Sequence, residues 1–361
     1  MPDRRPRRLE ALAHAIVEAK LDAILLTSLP NIRYMTGFSG TSALALITPT
    51  GATLITDFRY QTQASAEVGD LAQVVIEQQS LWTGLWRTLA TSALSVIGFE
   101  SHHLVHRDFQ RLLEQGTRWQ WRPTLDSVEA LREQKDEDEL ALIIRAARIA
   151  ETALERTIGE FRVGMTELEF TGVLERALRD AGSEAFPFPT IVASGERSAL
   201  PHARSSERVV QHGDFLLMDF GAVAGGYCAD VTRTFVVGKA TDEQREIHGI
   251  VREANERASR TIRAGMRGRD ADAVARGYIE DRGFGNAFGH SLGHGIGIEV
   301  HEAPRLARTA EASIPPHAVV TIEPGIYRPG WGGVRIEDDV FLEDGGARVL
   351  TAFSRDLIEI G

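Results

Sequence analysis

Two pairs of acidic residues carry the chemistry this sequence can perform. Asp219 and Asp230 lie on two apolar runs, 215–220 and 227–237, joined through Ala224-Gly225-Gly226. The alternation and the small turn residues predict a β-hairpin. A turn centred on Ala224 and Gly225 sets Asp219 directly across from Asp230, roughly 5 Å apart at Cβ. Like charges opposed on an apolar ribbon are costly, and a dication between them is the simplest relief. The arrangement recurs downstream, where 319–323 and 333–337 read as strands around the segment 324–332. Centred on Gly330, that ribbon opposes Glu323 and Glu337. An oxygen-rich ligand set suits hard or borderline divalent metals such as Mn²⁺ and Co²⁺. Four carboxylates balance two dications, which predicts a two-metal centre.

Imidazoles lie close by in the chain. Gly289-His-Ser-Leu-Gly-His-Gly-Ile-Gly-Ile-Glu-Val-His-Glu-Ala-Pro304 carries His290, His294 and His301. Its glycines argue against a regular helix and for backbone packed tightly on a neighbour. One of the three histidines is expected to complete a carboxylate-rich metal shell. Pro201-His202 brings a fourth histidine toward the same cleft.

The elements that position these residues divide the chain in two. The spacing predicts a helix over 9–20, strands over 21–26, 43–48, 52–56 and 96–99, and a polar, glycine-punctuated loop over 30–40. These make an α/β unit over 1–124. Residues 122–127 read as a linker, and 128–157 as one long amphipathic helix, acidic early and basic late as a helix dipole prefers. The rest repeats once. Gly164 and Gly265, Met165 and Met266, and Gly182 and Gly283 share one offset, each set framing a predicted helix. A helix-then-hairpin half used twice places the two carboxylate ribbons about a pseudo-twofold axis.

Composition narrows the partners. With 361 residues, 43% hydrophobic and 25% charged, the chain reads as a soluble two-domain protein. A net charge of −11 argues against nucleic acid or anionic membrane as partner. The single cysteine, Cys228, permits no intrachain disulfide and suits a reducing, cytoplasmic setting. It shares the Asp230 strand face and reads as a small buried thiol. His102, His103 and His106 read as solvated surface.

At the motifs Phe188-Pro-Thr-Ile-Val-Ala-Ser-Gly195, Leu200-Pro-His-Ala203, Met218-Asp-Phe-Gly221, Asp230-Val-Thr-Arg-Thr234, Gly293-His-Gly-Ile-Gly297, His301-Glu-Ala-Pro304, Glu323-Pro-Gly325 and Arg335-Ile-Glu-Asp338 the chain resembles the Xaa-Pro peptidases. These are proline dipeptidase and aminopeptidase P, members of the pita-bread metallopeptidases. The resemblance implies an α+β pita-bread catalytic domain over 125–361, preceded by a creatinase-type N-terminal α/β domain over 1–124. It implies Asp219, Asp230, His294, Glu323 and Glu337 as ligands of two divalent ions (Mn, Co or Zn). It further implies Glu323 as general base for a metal-bridging hydroxide, and His202, His290, His301 and Arg335 as active-site residues outside the shell. Arg335 either neutralises the carboxylates or meets substrate, and His290 either supports the shell or meets substrate. Arg305 matches an arginine that prolidases use to bind the substrate's C-terminal carboxylate, which favours an Xaa-Pro dipeptidase. The alternatives are aminopeptidase P acting on longer peptides, methionine aminopeptidase, and an inactive binding module. A homodimer is expected from the same resemblance.

Overall fold

The computed structural model describes residues 3–361, in two compact units that divide between Arg132 and Glu133. In the first, β1 (Ala23–Leu26), β2 (Ala43–Thr48), β3 (Gly51–Asp57), β4 (Gln73–Glu77), β5 (Val96–Glu100) and β6 (Gln120–Thr124) form one mixed sheet in the order β4-β3-β2-β1-β5-β6. Helices α1 (Arg5–Glu18), α2 (Leu29–Thr36), α3 (Gln61–Val68), α4 (Leu81–Ala90), α5 (His106–Gln115) and α6 (Glu129–Arg132) complete it. Leu25, Leu44, Leu46, Ile55, Leu85 and Ile97 form its core. Among the described residues no helix is long and apolar enough to cross a membrane.

Three readings of this half are corrected. The stretch expected as a loop over 30–40 contains α2: Pro30 sits in its first turn and Gly37, at φ 83°, caps its end. Pro and Gly bracket that helix; they do not break it. The expected linker 122–127 lies partly in β6, which pairs with β5. The expected single helix over 128–157 is two, α6 and then α7 (Glu137–Glu160), which restarts at a capping box between Asp136 and Glu139. Within the first unit Asn31 holds α6, donating to Glu100 and Glu129 and accepting from Arg132, each at 2.7 Å.

The second unit is built twice. Helix α7 packs with α8 (Glu167–Asp180) on β7 (Ile191–Ser194), β8 (Phe215–Ala224) and β9 (Tyr227–Val237). Helix α9 (Asp242–Thr261) packs with α10 (Gly268–Asp281) on the second core. The starts and ends of α8 and α10 are the same 101 residues apart. The loops before them match as well. Val210 N donates to Met165 O at 2.9 Å, and Ile314 N to Met266 O at 2.8 Å. The remaining strands are β10 (Gly293–Gly295), β11 (Glu302–Leu306), β12 (Val319–Ile322), β13 (Gly325–Arg328), β14 (Gly332–Arg335), β15 (Asp338–Glu343), β16 (Gly346–Val349) and β17 (Glu359–Ile360). The second sheet runs β11-β10-β12-β15-β16, and the first runs β17-β9-β8-β7.

The first carboxylate hairpin turns one residue later than its spacing implied. Gly225 and Gly226 both have positive φ, 56° and 80°, as a two-residue primed turn requires. Ala224 therefore pairs with Tyr227, and Asp219 stands across from Thr232, not Asp230. A one-residue move of the turn changes the register by two, which preserves the face. Leu216, Met218, Phe220 and Ala222 enter the α7–α8 core with Val231 and Phe235. Asp219, Asp230 and Thr232 share the opposite face, with the two aspartates as diagonal neighbours. In the second ribbon Gly325 pairs with Arg335 and Ile322 with Asp338, so Glu323 and Glu337 stand opposite each other as the spacing implied. The intervening segment contains β13.

Candidate metal centre

Asp219 and Asp230 are strand residues of β8 and β9, whereas Glu323 lies in the short break between β12 and β13 and Glu337 in that between β14 and β15. Atoms of Asp230, His294 and Glu337 lie within 4.8 Å of one another. His294 Nε2 is 3.5 Å from Glu323 Oε1 and 3.9 Å from Asp230 Oδ2. Asp219 stands close enough to Glu337 to raise the pKa of that glutamate. Strand β10 explains why one imidazole reaches this cage. It is Gly293-His294-Gly295, and a Cβ on Gly293 would meet Thr321 O at 1.9 Å. The backbone passes flush against its neighbours, and His294 is the one side chain the strand presents.

Electrostatics show what the pocket is suited to hold. Burial, then Glu337 and Asp219, push Asp230 well above the usual carboxylate range. Burial and Glu337 raise Glu323. Burial and Asp219 lift Glu337 to about 8. Oδ1 of Asp219 and Oδ1 of Asp230 are buried without a hydrogen-bond partner. Buried anionic oxygens left unpaired are expensive unless a cation meets them. Burial lowers His294 to about 4. Its Nδ1 donates to Gly295 O at 3.0 Å, so the neutral ring turns the lone pair of Nε2 toward the carboxylates. This donor set fits divalent cations, with Asp219, Asp230, His294, Glu323 and Glu337 able to hold them.

The remaining predicted residues surround the cage in different ways. Buried Arg335 donates to Asp219 Oδ2, to Thr232 Oγ1 at 3.0 Å, to Tyr327 Oη at 2.8 Å and to Pro201 O at 3.2 Å. Those bonds commit its guanidinium to the protein. His290 has both ring nitrogens engaged: Nδ1 donates to Ser291 O at 2.8 Å, and Nε2 meets Tyr327 Oη at 2.9 Å. Burial lowers it to about 4. His301 is exposed, and its ring centroid lies 4.4 Å from that of His294. Burial of part of the ring, then the neighbouring His202, lower its pKa. His202 is exposed and acts electrostatically on both His290 and His301. Arg305 pairs directly across from His294, which puts the two side chains on one sheet face.

Sequence reasoning missed four polar supports. Thr232 Oγ1 donates to Glu337 Oε2 at 2.6 Å. Tyr327 joins Arg335 to His290, and burial pushes its hydroxyl up to about 12. Thr321 Oγ1 accepts from His294 N at 3.1 Å. Asp339 Oδ2 accepts from Asp230 N at 3.1 Å. The available signal was strand parity: Thr232 is two residues from Asp230, Thr321 from Glu323 and Asp339 from Glu337. Tyr327 lies in the segment between the two predicted strands, to which no structure was assigned.

Residues 141–344 match Metallopeptidase family M24, and residues 8–134 match the Creatinase/Prolidase N-terminal domain. The Xaa-Pro dipeptidase of Pyrococcus furiosus is 35% identical over 360 residues, covering 97% of this chain and 99% of the relative. The solved Xaa-Pro dipeptidase from Bacillus anthracis superimposes with a TM-score of 0.95 at 41% identity, over 99% of this chain and 100% of that one. The X-Pro aminopeptidase from Thermotoga maritima gives 0.91 at 39%, over 98% and 99%. A buried carboxylate-imidazole cage on a duplicated helix-and-ribbon fold, with these matches along nearly the whole chain, makes the protein a member of metallopeptidase family M24, a metal-dependent peptidase.

Proposed function

We propose that the protein is an Xaa-Pro dipeptidase with two divalent ions (Mn, Co or Zn) held by Asp219, Asp230, His294, Glu323 and Glu337. The observation that carries this reading is the buried group of Asp230, His294 and Glu337, with Glu323 beside it and Arg305 on the same sheet face as His294. Bound cations supply the Lewis acidity that polarises a carbonyl and makes water nucleophilic near neutral pH. Glu323, the more accessible of the two facing glutamates, takes the proton of the attacking water and returns it to the leaving proline nitrogen. That nitrogen belongs to a tertiary amide without an N–H, so no substrate N–H is needed for recognition. His301 and His202 stand at the exposed rim, where they stabilise charge growing on the carbonyl oxygen. The acidic cage attracts the substrate's amino terminus, and Arg305 its C-terminal carboxylate. Arg335 and His290 are positioning residues, one fixing Asp219 and the other fixed by Tyr327. We further propose a cytoplasmic homodimer, as the family resemblance implies and as light scattering on the purified chain reads directly. Buried Cys228 is compatible with a reducing setting.

The similarity to an X-Pro aminopeptidase favours a second reading, in which longer Xaa-Pro peptides are cut. Hydrolysis of Ala-Pro against Ala-Pro-Ala separates the two. The dipeptidase reading expects kcat/KM to favour Ala-Pro, and equal or better cleavage of the tripeptide overturns it. Arg305→Ala is expected to raise KM for Ala-Pro about 10- to 100-fold, the worth of one charge-assisted hydrogen-bonded contact, with kcat much less affected. Tyr327→Phe removes the donor to His290 and one acceptor of buried Arg335. Its kcat is expected to fall about 10-fold, as for other groups that orient a metal site from behind, and steady-state kinetics on the metal-loaded variant check this.

A further inference from the structure

His301 and Arg305 both sit on the segment that leaves β10 and returns as β11, and that segment is irregular. Gly293 pairs with Leu306 and His294 with Arg305, but Gly295 then pairs with Glu302. The register jumps by two residues, and Ala303 and Pro304 bulge out of the ladder. A bulge re-aims the side chains beside it, so its exact placement decides where His301 and Arg305 point. Ladder hydrogen bonds alone specify such a register weakly.

Glu302 supplies a fixed point. Its side chain is 5% exposed, and both carboxylate oxygens are engaged. Oε1 accepts from Glu299 N at 3.0 Å, which closes the bend that leads to His301. Oε2 accepts from Lys135 Nζ at 3.0 Å. The carboxylate rests on Gly297, where a Cβ would lie 2.7 Å from Oε2 and 2.9 Å from Oε1. Lys135 is 1% exposed at its side chain, and its backbone N–H donates to His317 O at 2.9 Å, just ahead of the Asp136 cap of α7. The chain has only three lysines, Lys20, Lys135 and Lys239, and this one is buried. Buried ion pairs add little net stability over apolar packing of the same shape, because desolvation offsets the Coulombic gain. A geometric role accounts better for a pair placed beside a bulge.

We propose that the Lys135–Glu302 ion pair is a positioning device that sets the β11 bulge so that His301 and Arg305 stand over the metal centre. The inference rests on the reading of Arg305 as the carboxylate-binding residue. Lys135 pins Glu302 to the start of α7, and Glu302 holds the bend from Gly297 to His301. Arg305 is thereby kept across from His294.

The test compares Ala-Pro with its C-terminal amide, Ala-Pro-NH₂. Wild type is expected to prefer the free acid, and a wild type without that preference overturns the Arg305 reading itself. Lys135→Met/Glu302→Gln removes both charges of the pair together. Its preference for the acid is expected to fall about 10-fold, the loss typical of a mutated orienting group, and adding Arg305→Ala should cost little more. Glu302→Asp keeps the charge but shortens the reach by one methylene, and a partial loss is expected. If both variants retain the wild-type preference, or if the losses simply add to that of Arg305→Ala, the positioning role is wrong. A lower melting temperature with unchanged preference overturns it too, since it marks a purely structural pair.

Discussion

Asp230→Asn is expected to abolish peptidase activity and to loosen metal binding while leaving the fold intact. The substitution is isosteric, but it removes one anion from the carboxylate cage that is proposed to hold the metal. The expected loss in kcat/KM on Ala-Pro is about 10³-fold or more, the scale on which a disrupted metal-water nucleophile fails. Elemental analysis after dialysis is expected to show substoichiometric metal. Stability moves the other way. In the metal-free protein Asp230 is crowded by Glu337, Asp219, Asp339 and Glu323. Removing one like charge relieves that repulsion, so chelated Asp230→Asn melts no lower than chelated wild type at pH 8.5. Wild-type turnover by the metal-depleted variant would remove the centre from the mechanism. A variant that melts far below chelated wild type would show that Asp230 serves the fold instead.

The second large effect is a pH dependence of the metal-free protein, and its sign follows from the buried groups. Burial and neighbouring acids raise Asp230, Glu323 and Asp339, and lift Glu337 from 4.5 to about 8. In that range the folded protein holds protons that the unfolded chain has released. Their stabilising contribution is full below the unfolded values and is lost as pH rises through the folded ones. Buried His248, His290 and His294 act oppositely, each lowered from 6.5 to about 4 by burial. They destabilise as pH falls below 6.5. Above 6.5 the histidine contribution is complete and only the carboxylate slope remains. Chelated protein should therefore melt lower at pH 8.5 than at pH 6.5, by roughly 5–10 °C, given about 2–4 °C per kcal/mol for a unit of this size.

Saturating Mn²⁺ should erase that difference, because ligand binding to the folded state alone adds about 4 kcal/mol at a thousandfold excess over Kd. Proton release on metal binding near pH 7 is the companion signature, read by calorimetry in two buffers of different ionisation enthalpy. A chelated protein that melts higher at pH 8.5, or metal binding without proton release, contradicts the cage as described.

The chemistry was legible in the sequence because β-structure has a period of two. Parity alone puts Asp219 with Asp230, and Glu323 with Glu337, on common faces, whatever the detail of the turns. That is why the first hairpin tolerated an error of one residue in its turn: Asp219 faces Thr232, yet it remains diagonal to Asp230. The duplication was legible for a related reason. Gly164 and Gly265 hold positive φ at equivalent helix entrances, so the same residue type recurs at the same offset. Local signals failed where they were ambiguous. Pro30 and Gly37 serve a helix as readily as a loop, and the break before Asp136 is marked only by its capping box with Glu139.

What no local pattern contains is which side chains meet across distant strands. Tyr327 between Arg335 and His290, and Lys135 on Glu302, link residues 8 to 167 positions apart. Such contacts depend on the stacking of whole ribbons and on backbone that closes tightly at Gly293 and Gly297. The sequence by itself determined that four acids and an imidazole would gather. Only the tertiary structure decided which neutral and charged neighbours aim them, because burial and long-range packing set each partner's distance and protonation.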